Sequence, residues 1–359
     1  MPNKLPSNGS IGTQMKKLST RLTSRDIAVE AKVSQATVSN VMNRPDIVAP
    51  ETRDRVHAAM QRMNFVANDS ARSLRVGRSR TLGVVALDLT NPFWGEVTRG
   101  ISDTAALQGY TVLLGSSGES REGEQHLLRA FEGHRVDSVL VSSVDVTSPA
   151  IRSLDHNGTK IILLDEPDIT GQYSSVSLDQ AAGSRMAAAH LLEQGHRRIG
   201  FINVSHEIWW ARERLRGIQE AVVAGGEDPA TVVTELTIAT MTIRAAEPAV
   251  SDLLTQVPDI SAVMCMNDMI ALGVLKRLHV LGIRVPDDIA ITGFDDSYFA
   301  ELLSPSLTTV RQQPYLLGKA AAELAIELNA TDPIKTVVFK PELVVRESTQ
   351  RYLSRECME

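Results

Sequence analysis

From Thr81 onward the chain repeats one unit: a short apolar run followed by a helical stretch of roughly 12 to 16 residues. The runs are TLGVVALDL, TVLLGSS, VDSVLVSS, KIILLDEP, SSVSLD, RRIGFINV, TVVTEL, SAVMCMN and DIAITGFDD. Helical periods are predicted between them, near 93–108, 119–131, 180–194, 211–224, 243–254 and 268–281, with a last one at 316–329. Gly109, Gly195 and Gly282 stand where three of these helices should stop. Apolar strands that alternate with helices lie in parallel sheets covered on both faces. Roughly ten strands over about 270 residues exceed what one sheet usually carries, so two α/β lobes are predicted. Ligands of such sheets sit at the carboxyl ends of the strands.

The stretch 24–43, SRDIAVEAKVSQATVSNVMN, has another period. Ile27, Ala28 and Ala31 give one face of a short helix, and Lys32-Val33 breaks it. Ser34 is an N-cap type, after which Val38, Val41 and Met42 restart an apolar face. The outward positions Gln35, Ala36, Ser39 and Asn40 carry no charge that would repel phosphate. Two short helices around a tight turn fit a helix-turn-helix DNA reader, and by period alone they fit a core hairpin equally well. Pro50-Glu51 opens a third helix, with Val56, Ala59, Met60 and Met63 as its core stripe and Phe65 closing the unit.

Charge separates the two readings. Residues 1–80 hold 14 Lys and Arg against 6 Asp and Glu, and the remainder holds 23 against 37. A basic head on an acidic body points to a polyanion partner for the head alone. The stretch 68–78, NDSARSLRVGR, is basic and too short to be a stable helix without a partner. Residues 1–21 read as a disordered arm, and 351–359 as a tail.

Other classes find little support. Cys265 and Cys357 suggest neither a disulfide framework nor a metal site, and the eight histidines show no metal spacing. No cofactor is expected. No apolar run reaches membrane-spanning length and no signal segment is read at the start, so a cytoplasmic protein away from membranes is expected. The chain shows no nucleophile elbow, P-loop or dinucleotide fingerprint, so it does not read as an enzyme.

The chain resembles the lactose/galactose repressor (LacI/GalR) family over nearly its whole length. The resemblance rests on VSQATVSNVMN with PETRDRV, then NDSARSL, LGVVALDLTNPFW, GHRRIGF, RLRGIQEA, MNDMIALGVLKRLHVLGIRVPDDIAITGFDD and SPSLTTVRQQPYLLGKAA, in the family order. It implies an all-α helix-turn-helix domain at 22–66, a hinge helix and linker at 67–80, and a two-lobed core at 81–350. The core would have a periplasmic-binding-protein-like fold, with lobe 1 at about 81–177 and 311–339 and lobe 2 at about 178–310 and 340–350. Three crossovers near 175–180, 308–313 and 340 would join the lobes. The implied protein is a transcriptional repressor that binds double-stranded operator DNA. It is a homodimer, with a tetramer not distinguished, and a small sugar-like effector releases it. A corepressor-driven member of the same family is the alternative; a solute-binding receptor is the competitor from another class.

The resemblance also assigns residues. Gln35, Ala36 and Asn40 match base-reading positions, while Ser34, Thr37 and Ser39 would hold phosphate. Position 40 is often Arg in the family, and Asn lacks the Arg fork to guanine. Leu74 matches a minor-groove wedge flanked by Arg72 and Arg75, with packing on the body as its rival role. Ala67 stands where a proline is common. The implied effector residues are Asn91, Phe93, Trp94, Ser116, Asp165, Trp210, Arg214, Asn267, Asp295 and Gln312. Carboxylates, amides and an Arg suit hydroxyl groups, and aromatics suit an apolar sugar face. Each has a plainer rival: Asp165 and Asp268 as caps, Arg214 paired with Glu213 or Glu220, the Trp209-Trp210 pair as loop packing, and GSSGES as a simple turn.

Overall fold

A computed structural model describes residues 22–65, 79–329 and 332–350, in two compact units. The first is three helices: α1 (Ser24–Ala31), α2 (Gln35–Asn43) and α3 (Pro50–Arg62). The Thr23 backbone N–H and hydroxyl both donate to the Asp26 carboxylate at 2.7 Å, which fixes the start of α1. Lys32 ends it with a left-handed φ of 51°, and Ser34 then caps α2 by accepting from the Thr37 N–H at 3.0 Å. Ile27, Ala28, Ala31, Val38, Val41, Val56 and Ala59 are buried together, and Met60, Met63 and Phe65 pack against them. The turn at Lys32-Val33 and the core stripe of the third helix stand where the sequence places them. The hinge residues Arg72, Leu74 and Arg75 lie outside the described residues.

The second unit is built on two six-stranded sheets. The first runs in the order β11 (Thr336–Phe339), β5 (Ser174–Leu178), β4 (Lys160–Leu164), β3 (Ser138–Val141), β1 (Thr81–Ala86), β2 (Thr111–Ser116). The second runs β12 (Glu342–Val344), β10 (Thr308–Arg311), β9 (Ala290–Asp295), β8 (Ala262–Cys265), β6 (Ile199–Asn203), β7 (Val233–Thr237). The central strands β1, β3, β6, β8 and β9 are almost wholly buried, as parallel strands covered on both faces must be. The chain passes between the sheets after β5, after β10 and after β11.

Four helices set the frame of the site: α4 (Pro92–Leu107), α7 (Gln180–Glu193), α8 (Trp209–Ala224) and α12 (Pro314–Glu327). On the first sheet, α12 lies against α4. A Cβ on Gly100 would stand 2.1 Å from the Tyr315 carbonyl oxygen, and one on Gly318 would stand 2.0 Å from that of Val97. On the second, α7 lies against α8, where a Cβ on Gly217 would stand 2.1 Å from the Ala181 carbonyl oxygen.

Three details differ from the sequence reading. There are twelve described strands rather than roughly ten, because β10, β11 and β12 are short runs outside the nine apolar ones. The sheets are not wholly parallel: β12 pairs antiparallel with β10. The last helix begins at Pro314, a first-turn proline, two residues before the apolar period suggests.

Candidate effector cleft and DNA-reading helix

At the carboxyl ends of the strands the two sheets face each other across a narrow cleft. Leu87 and Asn91 follow β1, with Phe93 and Trp94 on the first turn of α4. Asp165 follows β4, Asn267 follows β8, Asp295 ends β9 and Gln312 follows β10. Trp210 and Arg214 reach in from α8, and Met241 from the loop after β7. These eleven residues surround a cavity of about 20 Å³.

Side chains fill the cleft by bonding across it. Asn91 accepts from the Phe93 N–H at 3.0 Å, capping α4, and its Nδ2 donates to Asp295 Oδ2 at 3.2 Å. Gln312 Nε2 donates to the other Asp295 oxygen. Gln180 Nε2 donates to Asp165 at 2.8 Å while Gln180 Oε1 accepts from Arg214 Nε at 2.9 Å. Gln180 therefore links a carboxylate of the first sheet to the guanidinium of the second. The Arg214 guanidinium lies 3.5 Å from the centre of the Phe294 ring and 5.5 Å from that of Trp210, and it also donates to the Met266 carbonyl. The close approach at Gly217, three residues after Arg214, brings this arginine up to Gln180.

The electrostatics are strained. Asp165, Asp268 and Asp295 are buried beside a single buried cation, Arg214. Burial pushes Asp165 up to about 7, against the pull of Arg214. Asp295 is raised by burial, and Asp268 by burial and by the charge of Asp295. Burial lowers Arg214, and the three carboxylates raise it in turn. The backbone is strained too: Asp165 and Asp295 have φ of 60° and 116°. Gln312 Oε1 is buried without a hydrogen-bond partner among the described residues, an unsatisfied acceptor on a residue that lines the cleft.

Nine of the ten residues assigned to the effector line this cavity. The exception is Ser116, which is exposed and turns its hydroxyl back to the Leu87 carbonyl at 3.0 Å. Its neighbour Ser117 does the same to Ala86 at 3.4 Å, so GSSGES is a turn that leads to Ser120, the cap of the next helix. The rival pairing of Arg214 does not form: Glu213 meets Arg216 at 2.5 Å, and Glu220 meets Arg185 at 2.9 Å. Asp268 is no cap either. Asn267 caps that helix by accepting from the Ile270 N–H, and Asp268 accepts from Ser297 N–H at 2.7 Å and Thr309 Oγ1 at 2.6 Å. Sequence reasoning missed Gln180, Leu87 and Met241. Gln180 had a signal, since it opens a helix at a predicted crossover; Met241 sits in a patternless loop.

In the first unit Gln35, Ala36 and Asn40 are exposed on α2, and Thr37 and Ser39 are half-buried beside them. Ser34 and Thr37 share a hydroxyl contact of 2.8 Å, and Gln35 Nε2 donates to Ser24 at 2.8 Å. The apolar face of α2 is turned inward through Val38 and Val41, and Gln35, Ala36 and Asn40 lie on its exposed side.

Comparisons with known proteins agree with this geometry. Residues 23–68 match the domain described as bacterial regulatory proteins, lacI family, and residues 188–349 match the periplasmic binding protein-like domain. The ribose operon repressor of Halalkalibacterium halodurans is 34% identical over 330 residues, covering 91% of this chain and 97% of that protein. The chain belongs to the LacI family. Within that family, the transcriptional regulator CelR of Thermobifida fusca is 33% identical over 90% of this chain and 96% of its own. A solved structure of a CelR–cellobiose complex is 31% identical with a TM-score of 0.68, covering 91% of this chain and all of that one. The lac repressor dimer bound to operator, at 24% identity, shares the fold with a TM-score of 0.80 over 92% of this chain and all of that one. This LacI-family chain is a DNA-binding transcriptional regulator, and its relatives are regulators rather than enzymes. Among the described residues no helix is long and apolar enough to cross a membrane.

Proposed function

We propose that this regulator represses transcription from operator DNA and is released when a small, hydroxyl-rich effector occupies the cleft between the two sheets. The observation that carries this reading is the Asn91–Asp295 bond with the Asp165–Gln180–Arg214 chain, which ties the two sheets together through the residues that would hold the ligand. A ligand that takes over these bonds changes how the sheets meet, and that change is what the DNA-binding end would sense. Amides, carboxylates and one guanidinium match vicinal hydroxyls, and Phe93, Trp94 and Trp210 supply apolar walls. The ribose operon repressor and the cellobiose-bound CelR support a sugar as the ligand class.

On DNA, α2 enters the major groove with Gln35, Ala36 and Asn40 on base edges, and Ser34, Thr37 and Ser39 on phosphate. Leu74 wedges into the minor groove between Arg72 and Arg75. The protein works as a homodimer in the cytoplasm, with two recognition helices about 34 Å apart. A gel shift of the full chain on DNA upstream of its own gene tests the reading. Sequence-specific, salt-sensitive retardation that a sugar relieves is expected. Retardation strengthened by the ligand would make the protein a corepressor-driven regulator, and no retardation at low salt would overturn the reading.

A further inference from the structure

Gln35, the exposed first residue of α2, does not stand free. Its Nε2 donates to the Ser24 hydroxyl at 2.8 Å, and Ser24 is the half-buried first residue of α1. Both ends of this contact are fixed from behind. Thr23 and Asp26 lock the start of α1, and Ser34 locks the start of α2 by accepting from the Thr37 N–H at 3.0 Å. Ile27, Ala28 and Ala31 pack with Val38 and Val41, so the two helix starts keep their spacing.

The bond limits what Gln35 can offer a base. A primary amide carries two N–H donors and one carbonyl acceptor. With one N–H spent on Ser24, one N–H and Oε1 remain. The major-groove edge of adenine presents one acceptor, N7, and one donor, the N6 amino group, and so takes both. Guanine presents two acceptors, N7 and O6; a single N–H is left for them, and Oε1 would face an acceptor. Cytosine and thymine each offer one polar group, and so one bond. The side chain is also held before DNA arrives, which lowers the cost of ordering it on binding.

We propose that Ser24 is a positioning residue for base recognition: it holds the Gln35 amide so that Gln35 reads adenine and rejects guanine at one base pair of each half-site. This rests on the reading of α2 as the major-groove helix.

The test needs DNA alone and no effector. The full chain selects from duplexes with randomised positions, and gel shifts then compare the four bases at each selected pair. Gln35→Ala locates the pair in question as the one whose preference it removes, and Asn40→Ala locates a second pair as the control. At the Gln35 pair the unaltered protein should bind adenine about tenfold tighter than guanine. Ser24→Ala should narrow that ratio to about threefold or less, with the change confined to that pair. Ser24→Thr retains the hydroxyl and should keep the ratio, whereas Ser24→Val has the same shape without it and should lose the ratio. This matched pair carries the test if the alanine variant fails to fold. A full ratio in both Ser24→Ala and Ser24→Val would overturn the proposal, as would a preference for guanine in the unaltered protein. Equal losses at the Gln35 and Asn40 pairs, or in the threonine and valine variants alike, would make Ser24 a residue of the fold and overturn it too. Absence of any sequence-specific binding would bring down the repressor reading and this one with it.

Discussion

Replacing Arg214 by alanine would leave Asp165, Asp268 and Asp295 buried around one another with no cation among them. Removing one partner from a buried charge cluster costs about 3–5 kcal/mol. The variant should lose thermal stability by that order at pH 8, and less at pH 5, where the carboxyls can take up protons instead. Calorimetry at the two pH values checks this; equal losses at both would show that Arg214 does not balance these charges. Asp165 carries a related prediction. Its carboxyl is raised from 3.8 to about 7 in the folded chain. Between those values the folded state binds a proton that the unfolded state releases, so stability falls as pH rises through this window, and the loss is complete above it. Asp165→Asn should flatten the fall in melting temperature between pH 5 and 8 relative to the unaltered protein. At this scale the sequence was a good guide to which residues meet and a poor one to what each does there. Asp165, Arg214, Asn267 and Asp295 could be placed by motif. Their alternatives, caps and surface pairs, differ only in rotamer and burial, which one sequence does not encode.

Among the elements, the crossing of α7 and α8 positions the site. Gly217 lets the two backbones approach, and a methyl there would overlap the Ala181 carbonyl. Gly217→Ala should cost about 1–3 kcal/mol by overpacking and should also weaken effector binding, because Arg214 moves away from Gln180. A variant that loses stability but binds the effector normally would separate the crossing from the site. Helix starts were partly readable because they obey local chemistry: Ser34 is a cap type in sequence and caps in fact, whereas at the MND turn the cap is Asn267 and not Asp268. β11 and β12 were not, since each is a short run whose strand character comes from the sheet edge it joins. Ser116 failed for a similar reason. A serine after a strand can face the cleft or bond back to its own chain, and here the Leu87 carbonyl takes it.

For the whole molecule, the proposed switch must run in both directions. If a sugar lowers operator affinity by some factor, operator DNA lowers sugar affinity by the same factor. Fluorescence titrations of the sugar with and without operator check this; a sugar affinity that operator leaves unchanged would show that the cleft and the DNA-binding end are not coupled. The division into a basic head and an α/β body was legible from charge and period alone. How the two sheets lock to each other was not, because the Asn91–Asp295 contact joins residues 204 positions apart and leaves no local trace.

The three passages of the chain between the sheets also fix an order of events during synthesis. The first sheet is begun by β1 but finished by β11, and the second is finished by β12, only a few residues further on. The helix α12 that covers α4 emerges after nearly the whole of the second sheet. Neither sheet can therefore close on the ribosome before its partner is almost fully made, and the edges of β5 and β10 stay open until the last strands arrive. The head has no such wait, since its three helices are complete by Arg62. A nascent chain thus has its DNA-reading part folded well before it has any means of being switched off.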